Sequence, residues 1–452
     1  MPTLSRSRRF LAAMVLPAFL FRGPGSADEI VVISPHSDEI KEETARAFAA
    51  WHQHNYGQPV TIRWIEPGGG TSQIIRYIEA QYKSDSNPGI DALYGGGIDP
   101  FLSLEQEGLL TRHDPPAGML AQIPAQLNGR PLYDPKHEWF GAALSGFGIL
   151  TNERAREAAG LPEVHAWSDL TDPRLAGWIS ASDPRLSGSA LAIDEIILQA
   201  YGWDKGWADL LEMSGNIRGF LSSAAGSVVE VGTGDAAYGV AIDTYGQAQV
   251  SYYGKANVTF TLPEGQTVIT PDSIAILKNA PHLELARHFV DFALSREGQL
   301  LWMAPRGAPG GAVKYEINRM SVMPALYDEL AGKSPMATNP FKLKSTISYS
   351  NALGAKRGSI LRALIAAWMI DTHDRLARAW KAANSPAAEK MAEDGQARLI
   401  AELVAPPMSQ DELLHLVDTD WKDPVKRTAL INRWQGEAMD RYKSVLAQVP
   451  GN

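Results

Sequence analysis

The sequence has no cysteine among its 452 residues, which removes disulfides, thiolate metal sites, a thiol nucleophile and a lipid anchor on an N-terminal cysteine. It has no excess of positive charge: 42 lysines and arginines face 51 acids, a formal net charge of −9, and a nucleic-acid binder carries the opposite sign. It has no apolar run of the ~20 residues that a bilayer span requires, since Phe10 to Phe21 is too short and Ile360 to Ile370 is both short and interrupted by Arg362. No G-x-S-x-G or H-E-x-x-H occurs, none of the Gly-rich turns carries the Gly-Lys-Ser/Thr of a phosphate loop, and no G-x-G-x-x-G opens a helix. His52 and His54 stand two apart and do not share a helix face. These absences leave enzyme chemistry without a nucleophile, a base pair or a metal set, and no cofactor is expected.

What is present is the balance of an ordinary globular protein, 45% apolar and 21% charged with 40 Gly and 29 Pro, long enough for two or three domains at roughly 100–200 residues each. Residues 1–27 read as an export signal: Arg6, Arg8 and Arg9 precede the apolar Phe10–Phe21, and Gly25-Ser26-Ala27 suits cleavage before Asp28. Cleavage takes away four arginines and no acid, moving the net charge from −9 to −13. The expected location is the periplasm.

From Asp28 the chain alternates strands and helices, the pattern of an α/β fold. Ile30-Val31-Val32-Ile33 has the continuous β-branched character of a strand buried on both faces, and Ser34-Pro35-His36-Ser37 turns into the acid-rich start of a helix. The same unit recurs at Val60–Ile65 with Gly69-Gly70-Thr71, at Ile90–Tyr94 with Gly95-Gly96-Gly97, at Trp178–Ala181 with Ser187-Gly188-Ser189, and before Ala225-Gly226-Ser227. Any one such turn serves geometry and capping. Five in one chain place backbone N–H groups and hydroxyls at helix starts, where anions bind, along the sheet edge where α/β proteins hold ligands. The candidate ligand residues from these turns are Ser34, His36, Gly69, Gly70, Thr71, Gly96, Gly97, Ser187, Gly188, Ser189, Ala225, Gly226 and Ser227. His36 either faces the ligand or caps its helix. Arg185 is a reserve candidate for charge neutralisation, and Arg76 reads as a surface cation.

Trp167–Gly177, Ser182–Ser189, Gly234–Tyr245, Leu262–Gly265, Pro271–Leu277 and Ala286–Gln299, in that order, resemble the iron- and phosphorylated-solute-type branch of the periplasmic solute-binding proteins of ABC importers. The resemblance covers about residues 28 to 315. It implies a two-lobed, type II Venus-flytrap α/β fold: a discontinuous first lobe (28–137 and 270–340), a second lobe (138–269), and a helical extension (341–452) that departs from the family pattern and is expected to pack on the first lobe. It also implies a ligand cleft closed by hinge motion, a monomer, and an inner-membrane ABC permease as partner. It adds Asp243 and Tyr245 as ligand-selecting groups, the alternatives being that Asp243 fixes the hinge and Tyr245 packs its ring. Ferric-binding relatives carry paired adjacent tyrosines after the Gly-Asp-Ala block, whereas Ile242-Asp243-Thr244-Tyr245 holds one; Tyr252-Tyr253 reads as a strand or lobe-surface pair. The expected ligand is therefore a small anion bearing phosphate or phosphonate. The alternatives are ferric iron on His36, Asp243 and Tyr245, or a ligand sensor for a membrane receptor.

Overall fold

The structure, a computed structural model, describes residues 27–451 except 69–70, 85–88, 337, 344–346 and 393. All of the expected export signal but Ala27, together with Gly69 and Gly70, lies outside the described residues.

The strand Asp28–Ile33 pairs in parallel with Val60–Ile65 on one side and Ala92–Tyr94 on the other, which is why Ile30 to Ile33 are all buried. Helices Asp38–Tyr56, Thr71–Ser84 and Asp99–Gln106 follow these strands, so three helix starts gather at the strands' carboxyl ends. Ile269–Leu277 then joins antiparallel beside Ala92–Tyr94 and pairs on its far side with Phe140–Asn152.

Phe140–Asn152 is buried along all 13 residues because it serves two sheets. Its first half, Phe140 to Gly146, pairs with Ile269–Leu277 in the first lobe. Its second half, Phe147 to Thr151, pairs with Tyr238–Ile242, beyond which lie Ile179–Ser182 and Ile217–Leu221 in the second lobe. The fold is thus the two-lobed α/β architecture, with the lobes joined through shared strands rather than at a single residue. The chain crosses once more between Phe341, packed on the first lobe's core, and Ile347, packed on the second's.

The extension lies on the second lobe, not on the first as the sequence suggests. Ile360, Leu364, Trp368, Leu376, Trp380, Trp434 and Tyr442 form one continuous core with Ile179, Ile193, Ile197, Trp207 and Leu210. Trp380 fills a notch at Gly215, where a Cβ would come within 2.5 Å of the indole, and its Nε1 donates to Asn216 Oδ1 at 2.7 Å. Trp203 Nε1 donates to the Met408 carbonyl at 2.7 Å. The reason for the difference is physical: an apolar stripe shows that a helix face is buried, and leaves its partner open. The partner is helix Trp203–Asn216, buried on almost every side of its second half. Local signals do hold within the extension. Ser409 and Glu412 form a capping box, and Asp423 caps the final helix Pro424–Gln448 by accepting from the Val425 and Lys426 N–H groups. Among the described residues no helix is long and apolar enough to cross a membrane.

Candidate ligand site

Where the lobes join, a buried ion network ties the first lobe's turns to the hinge strands. Asp272, the one charged residue of Ile269–Leu277, sits at that strand's register shift. Its Oδ2 accepts from Arg319 Nη2 at 2.7 Å and His36 Nε2 at 2.9 Å, and its Oδ1 from the Gly97 N–H at 2.8 Å. Arg319 also donates to Ser145 Oγ at 2.8 Å and stacks on Trp302, 5.1 Å from the ring centre. Burial alone would push the Asp272 carboxyl up, but the Arg319 guanidinium, His36 and Gly97 outweigh it and hold it well below the usual carboxylate range. Burial lowers the His36 imidazole below its ordinary value; its Nε2 meets both the Asp272 carboxylate at 2.9 Å and Arg319 Nη1 at 3.0 Å, and its Nδ1 is buried without a partner. Gly95, at φ +87°, makes room for that ring, since a Cβ there would stand 2.5 Å from it. Asp243 faces the same guanidinium from the second lobe. Burial pushes its carboxyl up to about 6 against the pull of Arg319, and its Oδ2 has no partner.

Beside this network two helix starts meet across the cleft. Ser187 caps helix Gly188–Tyr201, its Oγ accepting from the Ala190 N–H at 3.3 Å and lying 3.1 Å from Ser189 Oγ. A Cβ at Gly188 would lie 4.0 Å from Thr71 Cβ, the first residue of helix Thr71–Ser84, while one at Gly96 would lie 3.0 Å from Thr71 Cγ2. The structure thus brings Thr71, Gly96, Ser187, Gly188 and Ser189 together, with the positive ends of two helices from different lobes at one edge of the cleft.

The other expected residues have different surroundings. Ser34 Oγ accepts from the His36 N–H at 3.1 Å and is buried. Gly97 spends its N–H on Asp272. The turn at Ala225, Gly226 and Ser227 follows the sheet's outer strand; its Gly226 N–H is capped by Ser223 Oγ at 3.1 Å and Ser227 Oγ donates to the Ala224 carbonyl at 2.9 Å. Tyr245 packs against the small second-lobe core that includes Leu150, Val228 and Val250, and burial raises its phenol. Arg185 is held by Asp183 at 2.7 Å and Asp371 at 2.9 Å, tying this loop to the extension. Tyr252 and Tyr253 end helix Asp243–Tyr253 rather than lying on a strand, with Tyr252 exposed.

Sequence reasoning missed Ser145, Asp272 and Arg319, and it missed four further charged residues: Asp99, with Arg130 and Arg362 in its electrostatic reach, and Asp194, which lines a pocket between the second lobe and the extension. Asp99 keeps accessible surface yet burial pushes its carboxyl up, against Arg130, as expected of a group in a narrow cleft. Asp194 is raised well above its ordinary value by burial, reinforced by Glu195 and Asp183. For Asp272 and Arg362 a usable signal existed, since each is the lone charge of its run, which a folded protein keeps only with a compensating partner or a task; Arg319, next to Asn318 and three residues from Glu316, carries no such signal.

A family model of bacterial extracellular solute-binding proteins matches residues 86–321, more than half of the chain. The phosphoglycerate transport regulatory protein PgtC of Salmonella typhimurium is 32% identical over 157 residues, 35% of this chain and 38% of its own length; the chain thus spans well under half of that curated relative. Among solved structures, the periplasmic binding protein P5PA is 22% identical with a TM-score of 0.61, over 76% of this chain and 99% of that one. AfuA of Actinobacillus pleuropneumoniae, solved with exogenous fructose-6-phosphate, is 24% identical with a TM-score of 0.57, over 78% and 98%. Iron-bound HitA of Pseudomonas aeruginosa is 20% identical with a TM-score of 0.52, over 71% and 93%. These likenesses fix the two-lobed fold, and the family match identifies the chain as a member of the bacterial extracellular solute-binding proteins.

Proposed function

We propose that the protein captures a small phosphate- or phosphonate-bearing anion between its lobes by hinge closure and presents the closed form, as a periplasmic monomer, to an inner-membrane ABC permease. The observation that carries this reading is the meeting of the Thr71 and Gly188 helix starts across the cleft, where N–H groups, hydroxyls and two helix dipoles favour a doubly charged oxyanion. Phosphorylated compounds also stand in the names of PgtC and the AfuA complex. The ferric alternative needs hard anionic oxygens. His36, Asp243 and Tyr245 instead all feel the Arg319 guanidinium, and a second cation beside it is disfavoured.

The test is a thermal-shift and calorimetric screen of the chain from Asp28, stripped of ligand by partial unfolding and refolding. Probes are inorganic phosphate, phosphonates, sugar phosphates, phosphoglycerates, polyamines and ferric citrate. A ligand that binds only the folded form at 100 times its Kd adds ~2.7 kcal/mol, so phosphorylated probes are expected to raise Tm by several degrees. A shift with ferric citrate alone, with a coloured tyrosinate complex, overturns the reading. The regulatory role in PgtC's name favours a second reading, delivery of the closed form to a membrane receptor; stimulation of a permease's ATPase by the loaded protein separates the two.

A further inference from the structure

We propose that Arg130 of the first lobe and Arg362 of the C-terminal extension form a second anion subsite in the cleft, one that recognises a second acidic group on the ligand. The inference rests on the phosphorylated-solute reading and deepens it.

The extension is fixed to the second lobe at the edge of the cleft. Arg357 makes a bidentate, fully buried pair with Glu195, Nε to Oε2 at 3.0 Å and Nη2 to Oε1 at 2.9 Å, and donates to Gln410 Oε1 at 2.6 Å. Gln199 holds the preceding strap by accepting from the Ser350 N–H at 2.6 Å and donating to its carbonyl at 3.1 Å. So anchored, the strap lays the Tyr349 ring over Arg130, 4.4 Å from guanidinium carbon to ring centre, across the lobe boundary. Arg362 lies five residues beyond Arg357 on the same helix, and Asp99 feels both its charge and that of Arg130.

Both guanidinium groups are short of partners. Arg130 is 9% exposed, and its Nη2 is buried with no hydrogen bond, as is Arg362 Nε. Burial lowers the pKa of both against the pull of Asp99. The nearby acids do not answer for this. Glu195 is taken by Arg357 and Asp183 by Arg185. Asp99, within electrostatic reach of both Arg130 and Arg362, is itself pushed toward its neutral form by burial, and among the described residues it makes no ion pair with either. Arg76 adds a further positive charge beside Arg362. Leaving a buried guanidinium donor unpaired is expensive, and a carboxylate or phosphate oxygen that accepts from the planar fork relieves it. The subsite therefore suits a ligand with two separated acidic groups, one at the helix starts and one at the arginines.

The experiment is isothermal titration of the chain from Asp28 with paired probes. 3-Phosphoglycerate against glycerol 3-phosphate differs by a carboxylate; fructose 1,6-bisphosphate against fructose 6-phosphate differs by a phosphate. The doubly acidic member of at least one pair is expected to bind tenfold or more tightly, and the pair that discriminates names the second group. Arg130→Gln and Arg362→Gln should each collapse that ratio toward one. Arg362→Lys, which keeps the charge without the fork, should retain part of it and controls for misfolding, as do the Tm values of the unliganded variants. Equal affinity for both members of both pairs in the unsubstituted protein, or an unchanged ratio in folded variants, overturns the subsite while leaving the phosphorylated-solute reading intact. If no phosphorylated probe binds, that reading fails and the subsite falls with it.

Discussion

Asp243 and Asp272 present the same carboxyl to the same guanidinium and respond in opposite directions. Asp272 has a direct ion pair, the His36 imidazole and a backbone N–H, and these overcome its burial; Asp243 is as deeply buried, has one oxygen without a partner, and is pushed up to about 6. The difference has a sign that stability measurements read. A carboxyl raised from 3.8 to about 6 binds its proton more tightly in the folded state, so its contribution to stability falls as pH rises from about 4 to 6, by ~3 kcal/mol in all. Urea denaturation of Asp243→Asn should show a flatter pH dependence over that window than the unsubstituted protein; parallel curves would show that Asp243 is solvated. Asp272 acts oppositely, stabilising above its unfolded value and ceasing to do so as pH falls below about 4. Replacing it by Asn strands Arg319, 1% exposed, without its counter-ion, an expected loss of about 3–5 kcal/mol at pH 7 read from the same denaturation midpoints. None of these partnerships was legible in the sequence, because His36 lies 236 residues from Asp272 and 283 from Arg319. His36 itself stood out as a turn residue with two open roles; its place in the structure is a third, buried in the network between Asp272 and Arg319.

At the scale of elements, the helix starts were the readable part. Ser187, Ser223, Ser409 and Asp423 cap their helices through neighbours within three residues, so the information for these caps is local. The helix beginning at Gly188 yields the next prediction. Its glycine is not held at positive φ, and a Cβ would make ordinary contact with Thr71, so Gly188→Ala should leave both Tm and ligand affinity close to normal. Gly188→Leu extends past that contact into the space the Thr71 helix start occupies on closure. It should keep the unliganded stability within ~1 kcal/mol, since Gly188 is only half-buried at the first position of its helix, while weakening binding at least tenfold; undiminished affinity would place the ligand elsewhere. The extension's stripes were as plain in the sequence as these caps, yet their partner was not, since complementarity between Trp380 and the Gly215 notch is a property of two surfaces 165 residues apart in the chain.

The whole molecule then divides differently from what chain order suggests. In the proposed hinge closure the lobes rotate about the shared strands; because the extension shares the second lobe's core, the two would move as one body, making and breaking the Tyr349 contact with Arg130 and the Thr71 contact with Gly188. A chain ending at Lys342 tests that division. Were the extension an accessory on the first lobe, its removal would leave the second lobe's core whole. With the shared core, removal bares Ile193, Ile197, Trp207, Leu210 and Leu211, and each large apolar side chain loses about 1.5–3 kcal/mol of burial. That sum is comparable to the ~5–15 kcal/mol that holds a domain folded, so the second lobe should not survive while the first lobe's separate core persists. The expected result is one calorimetric transition of reduced enthalpy, strong binding of an apolar-surface dye and loss of ligand affinity. A truncated chain with native enthalpy and no dye binding would show that the second lobe stands on its own.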